Sequence, residues 1–158
     1  MKLLRPAVAA WRGFSLAVQL AAAVVFLYTG FVKLSNPSEF ASVLSSHGLV
    51  PNALTMPAAW AVIAIELGGS LVALLWLIAD RTPARAAMVL ASLFGLFGVY
   101  TLLLTLQPPP RPTPCGCGVL ASAPVESWTW IAVRNLALAA FTAYLGRSFS
   151  PRPALAPA

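Results

Sequence analysis

Two cysteines separated by a single glycine are the residues of this chain best suited to chemistry. Cys115 and Cys117 are the only cysteines, and a proline-rich stretch, residues 108–114, precedes them. Thiols this close can form a disulfide only with a distorted backbone at the middle residue, and Gly116 lowers the cost of that distortion. A strained disulfide in a loop has a relatively high reduction potential and exchanges electrons readily. The spacing therefore predicts redox chemistry, with an accidental pair of neighbouring cysteines as the alternative.

Apolar segments long enough to cross a membrane must position this loop. The 158-residue chain is 59% hydrophobic and 9% charged, with a mean hydropathy of +0.84, which is too apolar for a soluble domain. Four segments each supply about 20 largely apolar residues, enough for a hydrocarbon core of about 30 Å, and only helices satisfy their own backbone there. We predict an all-α membrane protein, a four-transmembrane-helix bundle forming one domain over residues 1–158, with helices at about 11–34, 57–79, 84–106 and 128–146.

The basic residues predict the orientation of this bundle. Seven of them flank the first helix at its start, the turn between the second and third helices, or the end of the fourth: Lys2, Arg5, Arg12, Arg81, Arg85, Arg147 and Arg152. Because cytoplasmic segments are enriched in Lys and Arg, we predict cytoplasmic termini and an outer Cys loop at 107–127. In a bacterial inner (cytoplasmic) membrane this multi-pass protein would hold its Cys loop in the periplasm, where disulfides persist. The net charge of +6 is accounted for by this anchoring, and nothing in the sequence indicates nucleic-acid binding.

The first outer connection predicts a short helix. Asn36-Pro37 is typical of a helix start, and Gly48 is typical of a helix end. The residues between them place an apolar face beside a polar one: Glu39, Phe40, Val43, Leu44 and His47. We expect this helix to lie in the membrane interface with its apolar side toward the membrane.

Three polar residues are predicted to lie within the membrane, where each costs free energy unless it is paired or functional. Glu66 lies about 14 Å below the outer end of the second helix, and Arg134 and Asn135 lie about 10 Å into the fourth, at 1.5 Å per residue. We expect Glu66 and Arg134 to form an ion pair. Two interpretations of this pair stay open. It is either a structural ion pair that holds the helices of the bundle together, or a polar site below the cysteines in the membrane that binds a quinone head group or relays protons.

Lys33 and His47 are further candidates. Lys33 ends the first helix, where we expect its ammonium group to reach the lipid head groups, with a contact to the Cys loop as the alternative. His47, the only histidine, is expected to be an ordinary interfacial residue, although a histidine can serve as a general base for a thiol. Two thiolates and one distant histidine fall short of a four-ligand zinc site, so no metal site is predicted. Four glycines are expected to allow close helix approach: Gly68, Gly69, Gly95 and Gly98.

Several motifs together resemble the MauE and DoxX-like family of four-helix membrane proteins. Residues 28–40, YTGFVKLSNPSEF, are similar to the opening motif G-x-x-K-L-x-x-P-x-x-F of that group, and residues 65–69 to its glutamate-bearing second helix. Residues 115–118, CGCG, and the Arg134-Asn135 pair resemble the C-G-C-F-G … R-N ending of the MauE branch, the methylamine utilisation type. Gly118 departs from the pattern, since the family usually has an aromatic residue there. The resemblance covers about residues 20–145.

The resemblance implies a bundle related in architecture to the disulfide-handling vitamin K epoxide reductase and DsbB proteins. It also implies a role in maturing disulfide-rich periplasmic enzymes such as methylamine dehydrogenase, together with a thioredoxin-like partner.

Together these observations predict a membrane thiol–disulfide oxidoreductase component. One of the two cysteines would exchange with a partner's disulfide through a mixed disulfide, and the other would resolve it. A membrane quinone that accepts or supplies the electrons would bind near four polar residues: Lys33, Glu66, Arg134 and Asn135. Besides the lipid bilayer, the predicted partners are a periplasmic thioredoxin-like protein and other membrane subunits. The competing hypothesis is a non-catalytic structural or assembly subunit of a larger membrane complex, whose cysteines hold the loop or bridge to a neighbouring chain.

Overall fold

Helices are the only regular secondary structure in the described part of the chain. The computed structural model describes residues 4–80, 83–109 and 127–148, so Cys115 and Cys117 lie outside the described residues. The α-helices of these ranges are α1 (Leu4–Ser35), α2 (Pro37–His47), α3 (Thr55–Leu75), α4 (Pro83–Leu106) and α5 (Trp128–Ser148). A 3-10 turn, Asn52–Leu54, precedes α3, and a π-helical turn, Trp76–Asp80, follows it.

Three stretches are long and apolar enough to cross a membrane: Ala9–Ser35, Asn52–Ala79 and Pro83–Leu106. They include most of α1 and all of α3 and α4, and they correspond to the first three predicted spans. α5 has the same length as α3, 21 residues, but does not meet the same criterion, because Arg134, Asn135 and two threonines interrupt its apolar sequence. The all-helical prediction is confirmed, and three of the four predicted spans have the length and hydropathy of membrane helices.

α1, α3 and α4 pack around a common core, and α5 lies mainly against α4. The core that joins α1, α3 and α4 is built from small and large apolar side chains: Ala23, Phe26, Ala73, Leu77, Ala86, Leu90 and Leu93. Large apolar residues such as Phe14, Val25 and Phe31 point outward from α1. An apolar exterior of this kind suits lipid tails, which are as apolar as the side chains that they contact.

Two of the four predicted glycines hold helices close together. A Cβ added at Gly69 would lie 3.2 Å from Leu93, and one added at Gly98 would lie 2.7 Å from Leu136. By contrast, a Cβ added at Gly68 or Gly95 would meet nothing within 4 Å. The expectation of close approach is therefore confirmed for Gly69 and Gly98 and is wrong for Gly68 and Gly95. These last two are in open positions on their helices.

The short helix predicted between the first two spans is present as α2. The Asn36 side chain accepts a hydrogen bond from the backbone N–H of Glu39, and Pro37 occupies the first helical turn. Gly48 ends the helix with a φ of 73°, in the left-handed region that glycine adopts without strain. The apolar face of α2 packs against α3, where it forms a second cluster from Phe40, Ala41, Leu44, Ala59 and Ile63. The expectation that this face is turned toward the membrane is therefore wrong.

Candidate functional site

A buried ion pair between α1 and α3 is the most unusual electrostatic feature of the described residues. The ammonium group of Lys33, in the last turn of α1, donates a hydrogen bond to Oε1 of Glu66, near the middle of α3. The two side chains are only 7% and 2% exposed. The helices are close one turn earlier, since a Cβ added at Gly30 would lie 2.9 Å from Leu67 and 3.2 Å from Cβ of Glu66. This close approach allows the Lys33 side chain to reach the neighbouring helix.

Two aromatic rings lie against this pair, and one of its two carboxylate oxygens has no hydrogen-bond partner among the described residues. Nζ of Lys33 lies 5.2 Å from the centre of the Phe40 ring on α2 and 5.3 Å from that of Phe97 on α4. Such cation–π contacts stabilise an ammonium group that has left water. Oε2 of Glu66 is buried and has no hydrogen-bond partner among the described residues. Because a buried acceptor without a donor costs free energy, this oxygen is suited to accept a hydrogen bond from a further group.

The predicted Glu66–Arg134 ion pair is wrong, because the ion-pair partner of Glu66 is Lys33. Arg134 is on α5, whose main packing partner is α4, and its side chain is exposed. Asn135, the next residue, is 8% exposed and lies on the buried face of the same helix. The expectation that Lys33 extends to the lipid head groups is also wrong, since its side chain turns into the bundle. The structure thus brings Lys33 and Glu66 together and places Arg134 and Asn135 on another helix.

A second polar pair lies at the C-terminal end of α2. Nδ1 of His47 is 2.6 Å from the hydroxyl oxygen of Tyr100 on α4. The His47 ring also meets Trp128, the first residue of α5, edge to face at a centroid distance of 5.2 Å. His47 is only 2% exposed, so the expectation of an ordinary interfacial residue is wrong. A sequence signal was present, because Phe40, Leu44 and His47 follow at spacings of four and three and share one helical face.

The two polar pairs form successive layers at the same end of the molecule. Phe40 and His47 are two helical turns apart on α2, and Phe97 and Tyr100 are one turn apart on α4. The Lys33–Glu66 pair contacts the first residue of each set, and the His47–Tyr100 pair is formed by the second. The segment 107–127, which carries both cysteines, leaves α4 and enters α5 at this end. The layers therefore lie on the side of the bundle where α4 ends and α5 begins.

One further buried polar pair was not predicted. Nε2 of Gln19 donates to Oγ of Ser15 over 3.0 Å, both side chains are fully buried, and Oε1 of Gln19 has no partner among the described residues. Gln19 precedes Lys33 by fourteen residues, which is about 21 Å along α1. This pair is therefore too distant to share a site with Glu66. No three His, Cys, Asp or Glu side chains cluster within residues 4–80, 83–109 and 127–148.

Comparison with known proteins gives one match. The family described as methylamine utilisation protein MauE has a model that matches residues 11–147. This range covers most of the chain and includes both polar layers, the segment 107–127 and nearly all of α5. No curated protein and no solved structure matches the chain.

Proposed function

The chain belongs to the MauE family of methylamine utilisation proteins, and from this membership we propose that it is a membrane thiol–disulfide redox component. It acts with a periplasmic thioredoxin-like partner in the maturation of periplasmic enzymes, and its Cys loop faces the periplasm. The observation that carries the proposal is the Cys115-Gly116-Cys117 pair within the matched range. A disulfide between Cys115 and Cys117 would close a ring of only three residues, and so small a ring is strained and therefore labile. It also restricts the unfolded chain very little, which makes it a poor structural crosslink.

The exchange with the partner transfers two electrons and two protons. In the oxidising direction, a partner thiolate attacks one sulfur of the Cys115–Cys117 disulfide, the bond between the two cysteines breaks, and a mixed disulfide forms. The second partner thiolate then attacks the mixed disulfide. The partner gains a disulfide, and the chain is left with two thiols that hold two electrons and two protons. The same steps in reverse reduce the partner.

A membrane quinone supplies, when bound, an acceptor for the two electrons and two protons of this dithiol. Lys33 and Glu66 would hold its head group, because an ammonium group donates to a quinone oxygen and a carboxylate oxygen accepts from a quinol hydroxyl. The buried Oε2 of Glu66, without a donor among the described residues, supports this assignment. Arg134 and Asn135 stay candidates for the same site. Because α5 packs mainly on α4, their side chains would have to reach the site from beside α4.

Trapping of the mixed disulfide tests the proposal. Cys115→Ser and Cys117→Ser each remove one thiol, and the variant that lacks the resolving thiol is expected to accumulate a mixed disulfide with the thioredoxin-like partner. It appears as a higher-mass band that disappears with reductant, and the double variant gives no band. If neither single variant traps a partner and the double variant retains full function in the host, the thiols are incidental. That result would favour the non-catalytic subunit of a membrane complex.

A further inference from the structure

α2 covers the Lys33–Glu66 pair on the side of the bundle where α4 ends and α5 begins. Its Phe40 ring lies against the ammonium group of Lys33, and its neighbour Ala41 packs with Ala59 and Ile63 of α3. The opposite face of α2 is exposed and polar, formed by Ser38, Glu39, Ser42 and Ser46. The helix therefore separates the buried ion pair from the outside of the bundle.

The other sides of the pair are closed by helices that pack tightly. α1 and α3 approach so closely at Gly30 that an added Cβ would lie 2.9 Å from Leu67, and Phe97 of α4 lies against Nζ of Lys33. α2, in contrast, is an 11-residue helix with a single residue, Asn36, between it and α1. Gly48, with its positive φ, lies at the other end. Of the helices around the pair, α2 is the one that can move without separating two membrane-length helices.

Two side-chain hydrogen bonds near the end of α2 differ in what they join. Oγ of Ser45 donates to Oδ1 of Asn52 over 2.8 Å, but both residues belong to the connection between α1 and α3 and can move together. The 2.6 Å contact between His47 and Tyr100 is different, because Tyr100 belongs to α4. It joins α2 to a helix outside that connection.

We propose that α2 is a lid over the Lys33–Glu66 pair and that the His47–Tyr100 hydrogen bond is its latch. An open lid would give a hydroxyl-bearing head group a route to Oε2 of Glu66 from the side on which α4 ends and α5 begins. The identity of what enters rests on the proposed function. The movement of the lid does not, and it can be measured in protein that has no native cysteine.

Two adjacent small residues on α2 report the position of the lid. Ala41 is 6% exposed and faces α3, whereas Ser42 is exposed on the outer face. In a Cys115→Ser, Cys117→Ser background, Ala41→Cys and Ser42→Cys are each labelled with a hydrophilic maleimide in lipid nanodiscs. We expect rapid labelling of Ser42→Cys and slow labelling of Ala41→Cys. Equal rates at the two positions would show that α2 does not cover α3 and would overturn the proposal.

The latch is tested by Tyr100→Phe, with Tyr28→Phe as the matched control. Tyr28 is 51% exposed on α1, so the loss of its hydroxyl is not expected to change labelling. Tyr100→Phe is expected to speed the labelling of Ala41→Cys about fivefold, which corresponds to a hydrogen bond of about 1 kcal/mol. An unchanged rate, or an equal increase with Tyr28→Phe, would overturn the role of the latch.

A third reporter separates lid opening from general loosening. Ala73 is fully buried in the core between α1, α3 and α4, away from α2. Ala73→Cys is expected to stay unlabelled in the Tyr100→Phe background. If its labelling rises together with that of Ala41→Cys, the whole bundle has loosened and the lid proposal fails. Because all these variants lack Cys115 and Cys117, that failure would leave the thiol chemistry untouched.

Discussion

A lysine and a glutamate that meet away from water depend on each other. Lys33 and Glu66 are both almost fully buried, and each supplies the charge that the other would lack. The attraction between two such charges roughly offsets the free energy of their desolvation. The contribution of the pair to stability is therefore small in total, while the loss of either partner is costly.

The stability losses of the two single variants of this pair are expected to add up to more than the loss of the double variant. Lys33→Met or Glu66→Gln alone should lower the free energy of unfolding by about 3–5 kcal/mol, by analogy with broken buried ion pairs. The double variant should lose clearly less than the sum, as measured by unfolding in detergent followed by circular dichroism. Arg134→Gln is the matched control, because its effect should add to that of Glu66→Gln. Additive losses for Lys33→Met and Glu66→Gln would contradict the pair.

The sequence predicted that Glu66 needs a partner, but it did not identify the partner. Depth along a helix follows from residue spacing alone, and it placed Glu66 and Arg134 at similar levels. Which helices are neighbours depends on packing, and α5 packs on α4 instead of beside Glu66. Lys33 was assigned to the head groups because it ends an apolar segment. Its true direction depends on the close approach of α1 and α3 at Gly30, which the sequence alone does not reveal.

At the scale of elements, helix ends were more predictable than helix neighbours. The cap at Asn36, the proline that follows it and Gly48 act locally, so the bounds of α2 could be predicted from those residues alone. The packing of α5 could not be predicted in this way, because it depends on which neighbouring helix contacts its buried face. The contact between Gly98 and Leu136 is one of the points at which α4 and α5 approach closely.

A methyl group at this contact is expected to separate α4 from α5. In Gly98→Ala the new Cβ would lie 2.7 Å from Cδ2 and 3.2 Å from the backbone nitrogen of Leu136. The backbone atom cannot turn away, so we expect a loss of about 1–3 kcal/mol, typical of overpacking. Gly95→Ala, one turn earlier on α4 and with nothing within 4 Å, should retain wild-type stability. Equal thermal unfolding of the two variants in detergent would contradict close packing at Gly98.

At the scale of the whole molecule, both polar layers lie near one end of the bundle. α1 ends there, α2 lies across it, and α4 ends and α5 begins there, so the segment whose sequence carries the two cysteines connects at this end. The basic residues predict that this end faces the periplasm. The proposed exchange requires the two cysteines on the periplasmic side, joined in a disulfide that can be opened.

Labelling of intact cells with a membrane-impermeant maleimide tests this claim most directly. Before reduction we expect no labelling, and after treatment with an impermeant reductant both Cys115 and Cys117 should react without opening of the membrane. Ser148→Cys, exposed at the far end of α5, should react in a cysteine-free background only after the membrane is opened. Labelling only after opening of the membrane, even after reduction, would place the loop in the cytoplasm and would contradict the proposal.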